Sequence, residues 1–174
     1  MSVEEVAAFL AQERTVTCAT AGPRGWPHLM PLWYVLREPG AATDRDTPVA
    51  DETPSQGPLD VELWSWTYGA SQKVRNLERD ARATLQVEAG ELYQELRGVM
   101  LECEVRIHRD LDTVAPLGAA ILLRNSVPRG VQPPTELPPE AAAAVAAQAA
   151  KRVGLQFVEL RRTSWDHRKL AGVY

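Results

Sequence analysis

The stretch that most limits how this chain can fold is a hairpin written in residues 15–36. TVTCATA (15–21) is rich in β-branched residues and reads as a strand. GPRGWP (22–27) supplies the Gly and Pro of a turn, and HLMPLWYVL (28–36) is the returning strand. Two strands joined by so short a turn must run antiparallel, because a parallel pair needs a crossover of a dozen residues or more. Pro31 sits inside the second strand. It removes one ladder donor, so it marks an edge or a bulge.

The rest of the chain repeats this style. SVEEVAAFLAQE opens as a helix, with Ser2 as cap, Glu5 in capping-box position, and Val6, Phe9 and Leu10 as one apolar stripe. Residues 37–59 are polar and carry four prolines, which reads as a long loop. DVELWSWT (60–67) is a strand, SQKVRNLERD (71–80) a short helix capped by Ser71, and RATLQVEA (82–89) a strand. Gly90 turns the chain. LYQELRGVMLECEVRI (92–107) is then one long strand or a bent pair, with Gly98 as the place for a bend. DLDTVAPLGAAILLRN (110–125) is helical, with Pro116 as a possible interruption. A second Pro-rich connection leads to EAAAAVAAQAAKRVG, a helix with Pro139 at its start and Gly154 past its end. LQFVELRRTSW (155–165) is the last strand. Five to seven strands joined mostly by hairpins, with short helices between them, predict a small antiparallel barrel with helices packed on it.

Composition narrows the function. The net charge of −4 gives no basic field for nucleic acid, and no apolar run is long enough to span a bilayer. The N-terminal MSVEEVAAFL has acids where a signal peptide needs basic residues, so a cytoplasmic chain is expected. Cys18 and Cys103 are expected to be reduced thiols, and three His and two Cys without ligand spacing give no metal site. There is no G-x-S-x-G elbow, G-x-G-x-x-G or P-loop.

Two stretches carry possible chemistry. In LWSWTYGASQKVRNL (63–77) a strand ends at Thr67, a Gly-containing turn follows, and a helix starts near Ser71. Backbone N–H groups at a helix start attract anions, and Thr67 and Ser71 add hydroxyls. Lys73 is a cation in the first turn, where it opposes the helix dipole. A bound phosphate would supply the missing negative charge; an ordinary capped surface helix with a solvated Lys fits the same letters. In GWPHLMPLWYV, Trp26, Trp33 and Tyr34 put aromatic area beside the irregularity at Pro31. That suits a flat ring lying against the strand, as it suits a core strand with one exposed Trp.

Taken in order, three anchors resemble the split-barrel flavin-binding family, which includes the pyridoxamine 5′-phosphate oxidases and the reductases that use the deazaflavin coenzyme F-420. They are TVTCATAGPRGWPHLMPLWYV, LWSWTYGASQKVRNLERDARATLQVE, and SWDHRKL after the final strand. The resemblance implies a mainly β (α+β) fold, an antiparallel split β-barrel with short peripheral helices. It covers one domain over 1–174, with 37–59 and 125–139 as loop insertions.

It also implies FMN or the deazaflavin F-420 as cofactor, bound at a homodimer interface. Thr67, Ser71 and Lys73 would hold the cofactor phosphate, with Trp66 and Gln72 beside them in the same segment. Met30, Pro31, Leu32 and Trp33 would run along the ring. Trp165 would anchor the tail by stacking or packing, while His167, Arg168 and Lys169 would face cofactor or substrate. His167 or Tyr174 would be a proton donor, and Arg75, Arg79 or Lys169 would meet an anionic cofactor tail. The pyridoxamine 5′-phosphate oxidases place an Arg where this chain has Met30, and their Arg-x-His ending is replaced by Asp166-His167-Arg168, which speaks against vitamin B6 oxidation. The implied activity is hydride transfer to or from a small organic substrate, with no catalytic residue assigned. The alternative is a non-catalytic flavin, deazaflavin or haem binding or carrier protein.

Overall fold

A computed structural model describes residues 1–39 and 59–170. Strand β1 (Thr15–Ala21) buries Val16, Cys18 and Thr20 on one face and pairs antiparallel with β2 (Pro27–Arg37), Thr15 opposite Trp33 and Ala21 opposite Pro27. Gly25, at φ +81°, takes the left-handed conformation the turn between them requires. Strands β3 (Glu62–Tyr68), β4 (Arg82–Ala89), β5 (Arg97–His108) and β6 (Arg152–Asp166) complete a closed barrel in the order β1-β2-β3-β6-β5-β4, with every neighbouring pair antiparallel. The inward alternation of β4 (Ala83, Leu85, Val87) and β5 (Val99, Leu101, Cys103, Val105) fills the barrel.

Four helices pack on this barrel. α1 (Val3–Gln12) begins with the expected capping box: the Ser2 amide donates to Glu5 Oε2 at 2.6 Å, and the Glu5 amide to Ser2 Oγ at 3.3 Å. Its Val6, Phe9 and Leu10 are buried in the main core. α2 (Gln72–Arg79) follows β3, and α3 (Leu111–Asn125) lies over the outer face of β2 and β3 with α4 (Pro139–Ala149) packed on α3 and β6. There Val35, Trp64, Leu117 and Ile121 form a second apolar cluster. Arg124, in the last turn of α3, donates to the carbonyls of Leu10, Ala11, Glu13 and Tyr34 at 2.6–2.9 Å and lies 4.5 Å from the Tyr34 ring centre. One guanidinium thus answers the orphan carbonyls at the end of α1 and fastens α3 to it. Among the described residues no helix is long and apolar enough to cross a membrane.

The structure adjusts several expectations. Residues 93–95 form a 3-10 turn rather than strand, so β5 starts at Arg97. Gly98 does not bend it: a Cβ there would stand 2.3 Å from Trp165 Cζ2, so the missing side chain makes room for that indole. The irregularity lies farther on, where Glu102 faces Arg161 but Cys103 faces Glu159, leaving Leu160 as a bulge. Pro116 does not interrupt α3. The last helix ends at Ala149, five residues before Gly154, because Val153, Leu155 and Phe157 are needed in the core, where they are 3, 0 and 2% exposed. The 37–59 loop begins after Arg37; residues 40–58 lie outside the described residues, as does Tyr174.

Candidate functional site

Strand β2 changes neighbours halfway along. Residues 27–33 pair with β1, while only Tyr34–Arg37 pair with β3, opposite Ser65–Glu62. At the point of divergence the Ser65 hydroxyl donates to the Trp33 carbonyl at 2.7 Å. Beyond it, residues 27–33 of β2 have one edge without a ladder, and Trp66–Tyr68 of β3 pair only with β6. This is the split in the barrel, and Pro31 lies on the free-edged half, where a missing N–H costs least. The same half and the turn before it expose apolar area: Trp26, Leu29, Met30 and Trp33 are 76, 55, 42 and 51% accessible. Pro31 is exposed too, and Leu32 is half-buried.

The other candidate segment is built by the β3–α2 turn. The Gly69 amide donates to the Lys151 carbonyl at 2.9 Å and the Ser71 amide to the Tyr68 carbonyl at 3.0 Å, which fixes where α2 begins. Thr67 points inward and Lys73 follows it: Lys73 is 6% exposed, and its Nζ donates to Thr67 Oγ1 at 2.8 Å. Burial pushes the ammonium pKa down, and the charge of Arg152 nearby pushes it the same way. No carboxylate among the described residues pairs with Lys73. Ser71 is the N-cap of α2, yet its hydroxyl caps nothing, and Oγ is buried without a hydrogen-bond partner. Beneath them Gln72 Nε2 donates to Asn76 Oδ1 at 2.9 Å and Asn76 Nδ2 to Thr20 Oγ1 at 3.0 Å, which ties α2 to β1. The uncapped helix start, the orphan hydroxyl and the buried cation without a counter-charge fall within three residues of chain, and donors of these kinds are the ones an anion calls for; we call the segment the cradle.

Trp66 does not join this cradle. It alternates with Thr67 and faces outward, its ring against Gly118 of α3 and under Arg152, whose Cζ is 4.3 Å from the ring centre. Trp33 and Trp66 instead share a cavity of about 360 Å³ with α3 and α4. Arg152, which lines it, falls within the helix that the sequence predicts but opens β6 in the structure; the alternation of Val153, Leu155 and Phe157 is the sequence signal for that strand.

The tail is elsewhere. Trp66 pairs with Gly154 and Gly98 with Trp165, so Trp165 lies eleven residues farther along β6, roughly 35 Å of strand at about 3.3 Å per residue. Trp165 packs on Gly98. Asp166 holds Arg168 through two side-chain bonds of 2.8 and 2.6 Å, Lys169 Nζ pairs with Glu5 at 2.7 Å, and His167 Nδ1 lies 2.9 Å from the Tyr93 carbonyl, the two rings tilted 53° with centres 4.6 Å apart. Within one chain the tail is therefore not brought to the cradle, and Lys169 is engaged with Glu5 rather than free for a cofactor tail. Arg79 is likewise engaged, with the Ala21 carbonyl, whereas Arg75 is exposed on α2.

Residues 2–154 match the family model described as pyridoxamine 5′-phosphate oxidase. A conserved hypothetical protein from Mycobacterium tuberculosis is 33% identical, with 100% of this chain and 90% of that one covered and a TM-score of 0.75. A structure named F420 reductase is 16% identical over 90% of this chain and 94% of its own, with a TM-score of 0.54. The haem storage protein HutZ of Vibrio cholerae is 13% identical over 95% of both chains, with a TM-score of 0.60. At those identities the last two share the fold. No curated protein matches the sequence.

Proposed function

The chain belongs to the pyridoxamine 5′-phosphate oxidase family, and from that premise we propose that it is an oxidoreductase using FMN or the deazaflavin F-420. The observation that carries this reading is the cradle at the start of α2: Ser71 Oγ without a partner, Lys73 buried without a counter-charge, and backbone N–H groups that no side chain caps. A phosphate answers all three, and the residues present fit it. Thr67 orients the ammonium from behind. The Arg that the oxidases place on the second strand is here Met30, so Lys73 carries the cradle's charge. The free-edged half of β2, Met30–Trp33, offers backbone and apolar side chains to a flat ring. When bound, a flavin or deazaflavin supplies a ring that takes and returns hydride. The protein's part is to fix the phosphate, exclude water with Met30, and hold a small organic substrate in reach.

The similarity to a structure named F420 reductase supports the deazaflavin alternative. The exposed strip Trp26, Leu29, Met30 and Trp33 supports a homodimer that covers it.

The test uses the purified chain with FMN, riboflavin, F-420 and its phosphate-free deazaflavin riboside. The phosphorylated form of one pair should bind at least tenfold tighter than its phosphate-free form. Reduced, it should be reoxidised by a quinone or nitroaromatic acceptor. Equal affinity for both members of each pair removes the cradle; tight binding without turnover of any acceptor makes the protein a carrier.

A further inference from the structure

The cavity behind Trp33 lies across β3 from the phosphate cradle, because Trp66 and Thr67 point to opposite faces of the strand. It measures about 360 Å³, within the range of small-molecule sites. Its floor is the Trp66 ring, seated where Gly118 has no side chain: a Cβ there would be 2.4 Å from Trp66 Cζ3. Its walls are Ile121 and Leu122 of α3 and Ala141 and Ala144 of α4, and the short side chains of α4 leave room opposite the indoles.

Arg152 and Gln148 supply the principal polar groups. The guanidinium is aimed rather than loose. It stacks 4.3 Å over Trp66, and one of its nitrogens donates to Gln148 Oε1 at 3.0 Å. No carboxylate among the described residues pairs with it. An arginine held on an aromatic face with free fork donors recognises a planar anion. Two indoles and aliphatic helix faces recognise flat apolar area.

From these observations we infer that the α3–α4 cavity is a binding site for a small, flat, apolar acid, a carboxylate or sulfonate on one or two aromatic rings, its charge on Arg152 and its rings between Trp33 and Trp66. The site does not rest on the cofactor reading.

The probe is 1-anilinonaphthalene-8-sulfonate, with the uncharged N-phenyl-1-naphthylamine as its counterpart, each titrated without cofactor and followed by fluorescence. The sulfonate should bind wild type at least tenfold tighter than the neutral compound. Arg152→Gln should remove that preference, lowering sulfonate affinity about tenfold while leaving the neutral compound unchanged, which also shows that the cavity is intact. Ala144→Phe should weaken both by more than tenfold. Should that variant not fold, the wild-type amide spectrum decides: the sulfonate should shift the Gly118 amide and the Trp66 indole N–H. The proposal is overturned if neutral and anionic probes bind wild type alike, if Arg152→Gln leaves sulfonate affinity intact, or if those two signals do not move. A failed FMN–riboflavin comparison would leave all of these outcomes where they are.

Discussion

Replacing Lys73 by Met separates what this residue does for the fold from what it does for a ligand. Lys73 is 6% exposed, and among the described residues its side chain bonds to Thr67 Oγ1 at 2.8 Å. A buried ammonium without a carboxylate is costly, and an apolar residue of similar length relieves about 1–4 kcal/mol of such cost while losing about 1 kcal/mol for the hydrogen bond. The ligand-free variant should therefore be as stable as wild type or more so, with Tm unchanged or raised by up to about 12 °C, at roughly 2–4 °C per kcal/mol for a chain of this size.

Binding should move the other way. Loss of a charge-assisted bond to phosphate is worth about 1.5–3 kcal/mol, so affinity for whichever phosphorylated cofactor binds should drop about 10- to 150-fold, with its phosphate-free counterpart unaffected.

The pH dependence has a definite sign. The folded pKa lies below the ordinary lysine value of 10.5, so the native state releases its proton first and the unfolded chain binds more protons in that window. Wild-type stability should thus gain on the Met variant as pH climbs toward 10.5, and the difference should be flat below the folded pKa. Calorimetry and cofactor titration measure all three effects. An apo Tm lowered by more than about 5 °C, or unchanged affinity for every phosphorylated cofactor, would refute the reasoning.

Arg124→Ala should cost about 2–4 kcal/mol in a denaturant melt, because four backbone carbonyls lose the guanidinium at once while the Leu10 carbonyl keeps the Tyr34 hydroxyl at 2.7 Å, and Arg124→Lys should recover less than half of it, since an ammonium cannot span the same fork. Gly118→Ala puts a Cβ 2.4 Å from Trp66 Cζ3 and should cost about 1–3 kcal/mol by calorimetry, with the Trp66 indole signal displaced. Burial pushes the Cys18 thiol up to about 12 and the Cys103 thiol well above its usual value, so a disulfide reagent at pH 8 should label neither in the folded chain and both in guanidinium. Asp166, held at about 2 by its bonds from Arg168, should lend its contribution fully above the ordinary 3.8 and lose it as pH falls through about 2; a carboxyl NMR titration with a midpoint near 4 would show the pair is not formed.

The strands were legible because one face of each is buried: Val16, Cys18 and Thr20, or Ala83, Leu85 and Val87, print a period of two directly into the letters. The cradle was legible for a different reason: its parts, Thr67, Ser71 and Lys73, are near in sequence, so one turn assembles them. The α3–α4 cavity was not. Its two Trp residues stand 33 positions apart in the sequence, and Arg152 follows an alanine-rich helix whose propensity hides where the strand starts. Trp66 shows the same limit in reverse: its nearness to Thr67 placed it in the cradle, while strand alternation sends it to the other face. The tail looked like part of a site because His167, Arg168 and Lys169 are chemically capable, but Tyr93, Asp166 and Glu5, two of them distant in sequence, engage them first.

Strand β2 changes neighbours at Trp33 and Tyr34, and this divides one strand into two regimes of exchange. Residues 34–37 are laddered on their β3 side and should open only with the barrel, whereas along 27–33 an amide pointing to the free edge has no laddered partner and should trade its hydrogen by local fluctuation. Hydrogen exchange should therefore show a boundary inside a single strand. Since β2 joins β3 through four residue pairs, whereas β5 joins β6 through twelve, whatever docks on the free edge, ring or second subunit, also reinforces a lightly tied place in the ring. Occupancy there should register as slower opening of the whole barrel, by the linkage that stabilises any native state its ligand prefers.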